Sequence, residues 1–375
     1  MRRTAAIALA SLLAATSCRG GDAPSSPVAA TTSTTTENVI VSSEQATLAG
    51  IEAFRVRYRS TSVLGEPIEV TGIVAEPEGE PPTGGWPIVA FAHGTTGGAD
   101  TCAPSVNDLS GYGAVIEVAA SAGYVVAATD YEGIGGPGEH PYLNGVSAAQ
   151  SMVDSVRAAV ELLDGRASTR WLAVGHSQGG HAALFAAELA PAMAPELTLL
   201  GSVAIAPASF LPRFAALEGT PASAFLALAV SGFLAAEPAV DAATVVTEAG
   251  EAAVEAARTV CLGELDGVLA NNGRADLVQP GATEAGTPFG DYLLANDPGQ
   301  AATVVPIFVA QGDADTLVVA EATAATVASL CGLGDTVDSR VYPGADHASV
   351  LVAAAGDVLA WMADRVADLP VASSC

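Results

Sequence analysis

One serine in this chain has the surroundings of a catalytic nucleophile. Ser177 is the centre of a Gly-His-Ser-Gln-Gly motif at residues 175–179, between a strand-like run at residues 171–174 and a helix-like run at residues 180–190. A serine in a tight strand-to-helix turn is strained, and glycine two residues to either side leaves room for it. The turn raises the hydroxyl above the sheet and directs the helix N-terminus towards it. We therefore predict that Ser177 is a nucleophile and that the backbone N–H of Gln178 stabilises an oxyanion.

A serine nucleophile needs a base that accepts its proton and a carboxylate that orients the base. Of the five histidines, His347 lies in a loop after a late strand, where the chain order serine–carboxylate–histidine places the base. His181 stands one helical turn beyond the serine, so we expect it to pack in the interior. The preceding strand, expected at residues 304–310, is followed by Asp313 and Asp315. We favour Asp315, which is far enough along the loop to bend back towards His347, and Asp313 is the alternative.

The second oxyanion donor is expected in the loop after an apolar strand at residues 86–92. This loop reads His-Gly-Thr-Thr-Gly-Gly at residues 93–98. We assign the donor to the backbone N–H of Thr95, with Thr96 as the alternative; a flexible surface turn is the other explanation for the glycines. The chain lacks the phosphate-binding pattern G-x-x-x-x-G-K-[ST], the dinucleotide fingerprint, and Cys or His at paired ligand spacing. We therefore expect no cofactor and no metal ion.

Strands and helices alternate around these residues. Apolar runs predict buried strands at residues 86–92, 123–129, 171–174, 197–205, 304–310 and 338–342. Amphipathic or alanine-rich runs predict helices at residues 110–122, 147–163, 180–190 and 350–366. The alternation predicts an α/β fold with a mostly parallel central sheet and helices on both faces. Residues 53–61 and 67–77 alternate in period two, which predicts an antiparallel pair at a sheet edge.

A long insertion interrupts this alternation at about residues 210–300. It is too long for a crossover between strands, and its alanine-rich runs predict a helical cap within a folded domain at residues 39–375. The helix expected at residues 222–235 is apolar on most of its surface, so it is either buried or faces another apolar phase. We expect a fixed cap that walls the acyl site, and a lid that lifts at a lipid surface is the alternative.

The amino terminus has the pattern of an export signal. Residues 1–17 combine an Arg-Arg pair with an apolar run that is too short for a permanent membrane span. The run ends in Ala-Thr-Ser-Cys, similar to a bacterial lipoprotein cleavage box, so we expect lipid on Cys18; ordinary cleavage near Ala14 or Ala15 is the alternative. Residues 18–38, rich in Ser, Thr and Pro, predict a disordered tether. We expect an exported protein, attached to a membrane only through Cys18.

The charge balance argues against one large class of partner. The chain has 41 acidic against 14 basic residues and a formal net charge of −27. Nucleic-acid binding needs Lys and Arg to displace the counterions of the phosphates, so we exclude it. We assume a monomer.

The cysteines point to an oxidised protein. With Cys18 set aside, four remain and allow three pairings. We expect Cys102–Cys261, which would join the cap to the region of the 93–98 loop, and Cys331–Cys375 near the carboxyl end.

Several linked motifs resemble the secretory lipase family of fungi and actinobacteria, whose members are α/β-hydrolases. The shared stretches are residues 93–97 with 102–105, residues 130–133 with 140–142, and residues 175–180, 311–315 and 342–347. The resemblance covers about residue 40 to the carboxyl end. It implies an esterase or lipase with Ser177, Asp315 and His347 as its triad and a helical cap over the acyl site. It also implies that residues 130–142 support the site rather than react.

We therefore expect hydrolysis of carboxylic esters that carry a fatty or short acyl chain, with a small molecule or a lipid as substrate. Acyl transfer to an acceptor other than water and peptide hydrolysis are the alternatives on the same triad. A surface-tethered binding protein with an inactive hydrolase fold is the alternative outside the enzymes.

Overall fold

The structure of this chain is a computed structural model that describes residues 38–48 and 50–375. The expected signal sequence, the expected lipidation site Cys18 and all of the expected tether except Asn38 lie outside the described residues. In the part of the chain that is described, no helix is both long and apolar enough to cross a lipid bilayer.

Nine strands of the described residues form one sheet in the order β1-β2-β3-β5-β4-β6-β7-β8-β9. They are β1 Ile40–Leu48, β2 Ile51–Thr61, β3 Pro67–Ala75, β4 Trp86–Ala92, β5 Val125–Thr129, β6 Ala167–His176, β7 Thr198–Ile205, β8 Ile307–Gly312 and β9 Val337–Tyr342. The pairs from β1 to β5 are antiparallel, and those from β5 through β4 to β9 are parallel. The predicted α/β fold with a mostly parallel sheet is confirmed.

The antiparallel end of the sheet differs from the prediction in one respect. β2 and β3 pair as predicted, but β1 lies outside β2 and forms the edge. Most side chains of β1 are exposed, so its sequence lacks the period-two alternation by which a half-buried strand is recognised.

Helices cover both faces of the sheet. They are α1 Gly113–Ser121, α2 Gly145–Leu162, α3 Gln178–Met193, α4 Ser223–Ala236, α5 Glu248–Thr259, α6 Leu262–Asn272, α7 Pro288–Ala295, α8 Ala320–Leu333 and α9 Val350–Val366. Alternate residues of β4 divide between two cores, since Ala90 packs with Met152 of α2 whereas Phe91 packs with Ile116 of α1 and Trp361 of α9. Successive side chains of a strand point to opposite faces, so the two cores lie on opposite sides of the sheet.

The elements around Ser177 are longer than their sequence pattern suggests. The strand extends over the whole of β6, and the expected helix end before Pro191 is wrong because α3 continues to Met193. Proline removes only its own N–H from the helix, and the backbone N–H of Ala194 still bonds to the carbonyl of Ala190 at 2.9 Å.

The four helices α4 to α7 lie between β7 and β8 in the chain and have a core of their own. Leu226, Val230 and Phe233 of α4 are buried in it. The Phe233 ring centroid lies 5.2 Å from that of Phe289 and 5.1 Å from that of Tyr292, both on α7. The apolar surface of α4 is therefore covered largely by other helices of this insertion.

Two disulfides join distant parts of the chain, and they are the two pairs that we expected. Cys102–Cys261 joins the segment after β4 to the start of α6, with Cα atoms 5.3 Å apart. Cys331–Cys375 joins α8 to the carboxyl end, with Cα atoms 5.4 Å apart.

Candidate active site

Three of the predicted site residues follow the carboxyl ends of parallel strands. Ser177 follows β6, Asp315 lies in the loop after β8, and His347 lies in the loop after β9. β6, β7, β8 and β9 are consecutive in the sheet and parallel. Their carboxyl ends form one edge, which is where ligands bind in open α/β sheets.

Ser177 occupies a strained turn between β6 and α3. Its backbone has φ 58° and ψ −116°, a conformation that a non-glycine residue adopts only when its surroundings enforce it. Its N–H donates to the carbonyl of Ile205 and its own carbonyl accepts the N–H of Ala208, both at 2.9 Å. A Cβ atom on Gly179 would lie 1.8 Å from the carbonyl oxygen of Ala92, so only glycine lets α3 approach β4 this closely.

A hydrogen bond joins the expected base to the expected carboxylate. His347 Nδ1 lies 2.7 Å from Asp315 Oδ2, and Asp315 Oδ1 accepts the backbone N–H groups of Leu317 at 2.8 Å and Val318 at 2.9 Å. Burial opposes the charge of this carboxylate, but the hydrogen bonds from His347 and the backbone outweigh it and lower the pKa of Asp315. A histidine that donates from Nδ1 has Nε2 free to accept a proton.

Asp313, the alternative carboxylate, has a different position. It is exposed, and its Oδ1 accepts the backbone N–H of Gly344 at 2.6 Å. Asp313 thus links the loops after β8 and β9, whereas Asp315 is the residue that contacts His347. Asp346 accepts the backbone N–H of Ser349 at 2.8 Å, as expected of an acid that caps a turn.

His176 connects the loop that carries His347, by way of Tyr112, to the loop after β4. Nothing in the sequence indicates this role. Its Nε2 lies 2.8 Å from the carbonyl oxygen of His347 and its Nδ1 lies 3.0 Å from the Tyr112 hydroxyl. That hydroxyl accepts the N–H of Gly94 at 2.9 Å, so it donates to Nδ1, and Nε2–H donates to His347. Burial and then the neighbouring His347 lower the pKa of His176 to about 4, which keeps the ring neutral.

Two backbone N–H groups beside Ser177 are available to a ligand. Gln178 begins α3 and receives no side-chain cap, so its N–H has no partner within the helix. The N–H of Gly94 is bound by Tyr112, whereas no backbone hydrogen bond among the described residues uses the N–H of Thr95. A Cβ atom on Gly94 would lie 3.4 Å from Ser177 Cβ, so the loop after β4 passes directly beside the serine.

His140 contacts the side chain of Gln178 directly and is linked to that of Thr95 through Tyr142. Gln178 Nε2 lies 2.9 Å from His140 Nε2, and His140 Nδ1 lies 2.7 Å from the carbonyl oxygen of Glu132. The His140 ring packs edge-on against Tyr142, whose hydroxyl lies 2.8 Å from Thr95 Oγ1. Burial lowers the pKa of His140 to about 4, so a neutral ring donates to Glu132 and accepts from the Gln178 amide.

The remaining histidines are interior. His181 donates to the carbonyl oxygen of Asn296 at 2.8 Å, and burial lowers its pKa to about 4. His93 is buried beside Tyr131, with ring centroids 4.6 Å apart, and burial lowers its pKa as well. Across residues 38–48 and 50–375, no group of three or more His, Cys, Asp or Glu residues is placed to hold a metal ion.

Ser177 opens onto a cavity of about 400 Å³. Apolar side chains form most of its wall, namely Phe210, Phe214, Leu217, Phe225, Leu317, Val318 and Val319. Tyr142 and two residues with charged side chains, Arg213 and Glu321, also line it. A concave, mostly apolar cavity with a few polar groups next to a strained serine has the properties of a small-molecule site.

The sheet and the serine turn define an α/β-hydrolase. The chain belongs to the secretory lipase family, whose family model matches residues 112–374. It is 28% identical over 202 residues to Lipase A of Moesziomyces aphidis, a match that covers 50% of this chain and 42% of that protein. The matched segment thus spans less than half the length of this relative.

Solved structures show the same fold. The X-ray structure of Candida antarctica lipase A superposes with a TM-score of 0.77 at 20% identity, over 90% of this chain and 84% of that one. A ligand-bound form of the rice cell wall degrading esterase LipA from Xanthomonas oryzae superposes with a TM-score of 0.74 at 19% identity, over 89% of this chain and 99% of that one.

Proposed function

We propose that this protein is a carboxylic ester hydrolase that uses Ser177, His347 and Asp315. The observation that carries the proposal is the Asp315–His347 hydrogen bond of 2.7 Å, at the same sheet edge as a serine in a strained strand-to-helix turn. Membership of the secretory lipase family supports it. The names of the relatives, a lipase and an esterase, agree with it.

In this mechanism the Ser177 oxygen attacks the ester carbonyl carbon while His347 Nε2 accepts the hydroxyl proton. The carbonyl oxygen becomes an oxyanion, which accepts hydrogen bonds from the backbone N–H groups of Gln178 and Thr95. The C–O bond to the alcohol breaks, and the alcohol leaves with the proton from His347. Water then attacks the acyl-enzyme with the same proton transfers, which releases the acid and restores Ser177. Asp315 holds the imidazole in the tautomer that both steps require.

The substrate in this proposal is an ester whose apolar part occupies the cavity lined by phenylalanine and leucine side chains. Because the apolar surface of α4 is largely covered by other helices, we propose a fixed cap rather than a lid. A fixed cap gives ordinary saturation kinetics on dissolved esters, whereas a lid gives a steep rise in rate once the ester exceeds its solubility limit.

Export is part of the proposal. The pattern of residues 1–17 and the two disulfides support a protein that folds in an oxidising compartment. Lipid on Cys18 is tested by metabolic labelling with a fatty-acid analogue. A labelled wild type and an unlabelled, released Cys18→Ala protein are the expected results, and an unlabelled wild type would leave ordinary secretion.

The test of the catalytic proposal is covalent labelling with a fluorophosphonate together with hydrolysis of 4-nitrophenyl butyrate. The wild type should label at Ser177 and hydrolyse the ester. Ser177→Ala and His347→Ala should each lose a factor on the order of 10⁴ or more in kcat, because triad members act as a unit. A protein that folds but neither labels nor hydrolyses any ester would be an inactive hydrolase fold, contrary to the proposal.

A further inference from the structure

Arg213 lines the cavity that contains Ser177. It follows β7 in the segment that also touches the nucleophile, since the N–H of Ala208 donates to the carbonyl of Ser177 at 2.9 Å. The Arg213 guanidinium lies over the ring of Phe210, with its central carbon 4.4 Å from the ring centroid. A guanidinium stacked on an aromatic face keeps the N–H groups at its edge free to bind a carboxylate or phosphate.

The ring that supports Arg213 is itself held in place. Phe210 has φ 64° and ψ 37°, the left-handed region that a bulky residue adopts only when enforced. Asp297 enforces it, because its Oδ1 accepts the backbone N–H of Phe210 at 2.6 Å and that of Leu211 at 3.2 Å. The backbone N–H of Arg213 donates to the Phe210 carbonyl at 3.0 Å. The position of the Phe210 ring is therefore set by the Asp297 carboxylate together with the local backbone.

Arg213 lacks the partner that other arginines have. Arg157, for example, pairs with Asp154 at 2.8 Å and with Glu196 at 2.6 Å. Among the described residues, Arg213 forms neither an ion pair nor a side-chain hydrogen bond, and its guanidinium contacts the Phe210 ring instead. Carboxylates outnumber basic groups by 41 to 14 in this chain, so a partner would be easy to supply. The absence of one leaves the cation available to a substrate.

We infer that Arg213 selects esters that carry an anionic group, a carboxylate on the acyl or the alcohol part, at the end remote from the reacting carbonyl. This inference rests on the proposed ester hydrolysis and adds a substrate class to it. Ser177 acts at one place in the cavity and Arg213 binds the anionic end at another, while the apolar side chains hold the chain between them. Glu321 lines the same cavity without pairing with Arg213, and its carboxylate repels the same anion and limits the preference.

The experiment compares two esters with the same acyl length, 4-nitrophenyl hexanoate and the mono-4-nitrophenyl ester of adipate. A second pair, phenyl butyrate and 4-(butyryloxy)benzoate, places the anion on the alcohol instead. The measured quantity is the ratio of kcat/KM for the anionic ester to kcat/KM for its neutral counterpart. In at least one pair, Arg213→Gln should lower this ratio about fivefold at low salt, the range of a partly exposed ion pair with hydrogen bonds. The effect should shrink at high salt because exposed charges are screened.

Two further variants keep the result interpretable. Glu321→Gln should raise the ratio, because it removes the repelling charge from the cavity. Arg57→Gln is the matched control: it also removes one positive charge, but on β2, where Arg57 pairs with Glu69, and it should leave the ratio unchanged. An equal change in both substrates for Arg213→Gln, or no change in either pair, would overturn the inference.

Binding separates this inference from the proposed function. The Ser177→Ala protein cannot turn over either ester, so its affinity for the adipate ester and for neutral 4-nitrophenyl hexanoate is measured by calorimetry with and without Arg213→Gln. Weaker binding of the adipate ester alone supports the role of Arg213 even if the wild type proves inactive. Equal binding with and without Arg213→Gln contradicts it even in an active enzyme.

Discussion

The two oxygens of Asp315 have different partners, and that division fixes both its position and its charge. Oδ2 accepts from His347, while Oδ1 accepts from the backbone of Leu317 and Val318. The carboxylate cannot rotate without the loss of one set of bonds. Asp313, two residues earlier in the chain, accepts one backbone hydrogen bond from Gly344. Substitution of the two carboxylates should therefore affect kcat very differently.

Asp315→Asn should lower kcat by a factor on the order of 10³ to 10⁴, because an amide that faces Nδ1 of His347 favours the wrong tautomer. Asp313→Asn should cost less than about tenfold, since the amide oxygen can still accept the N–H of Gly344. The measurement is the hydrolysis of 4-nitrophenyl butyrate, with circular dichroism to verify the fold. The opposite ranking would transfer the carboxylate role to Asp313.

His140 should act on the rate through Gln178 and, by way of Tyr142, through Thr95. His140→Ala removes the acceptor for the Gln178 amide and should lower kcat about tenfold with little change in KM, because a displaced oxyanion donor is felt mainly in the transition state. His181→Gln is the control, a buried histidine in α3 that contacts neither N–H group. If both variants lose stability alike and neither lowers kcat, His140 is only a packing residue.

At the scale of elements, the loop at residues 93–98 is held from more than one side. Tyr112, just before α1, binds its backbone at Gly94. On the side of the insertion, the N–H of Leu262 donates to the carbonyl of Thr96 at 2.8 Å, and the disulfide Cys102–Cys261 lies beside this contact. The insertion therefore helps to shape the loop that contains Thr95, the proposed second oxyanion donor.

Removal of this disulfide should affect both stability and activity. The double variant Cys102→Ser with Cys261→Ser opens a loop with a sequence separation of 159, and should lower the free energy of unfolding by about 3–5 kcal/mol. It should also lower kcat, because the loop loses its link to α6. Urea unfolding and ester hydrolysis measure the two effects. The matched variant Cys331→Ser with Cys375→Ser should lose stability without a comparable loss of kcat. Equal losses of kcat in the two double variants would show that Cys102–Cys261 has no specific effect on the loop at residues 93–98.

The sequence was sufficient to predict those elements whose buried side chains form a continuous or periodic apolar pattern. The parallel strands and the closing helix α9 follow from apolar runs, and the serine turn follows from glycine spacing. Strand β1 was not predicted because its exposed side chains do not alternate. The helix end before Pro191 was wrong because α3 continues to Met193 despite the missing N–H of the proline. The contacts of His176, His140 and Arg213 depend on segments far apart in the chain, and no local pattern records which of them meet.

At the scale of the whole molecule, burial lowers the pKa of four histidines, one of which is His93. The pKa values of the other three, His140, His176 and His181, are each lowered to about 4, against about 6.5 in an unfolded chain. Glu188 has the opposite behaviour, since burial raises its pKa to about 6. Between pH 4 and pH 6.5 the unfolded chain therefore binds protons at His140, His176 and His181 that the folded chain does not bind, and His93 acts in the same direction. Glu188 offsets part of this difference.

The free energy of unfolding should consequently fall as the pH drops from 6.5 towards 4. Above pH 6.5 each of these histidines is neutral in both the folded and the unfolded chain. Below that pH only the unfolded chain binds the proton, which lowers the free energy of unfolding by up to about 1.4 kcal/mol per pH unit for each histidine. His181→Gln tests one of the three, because the amide still donates to the carbonyl of Asn296 but cannot titrate. Urea unfolding at a series of pH values should give a slope against pH that is shallower by one proton in this variant. A variant whose slope equals that of the wild type would show that His181 is protonated in the folded protein, contrary to its burial.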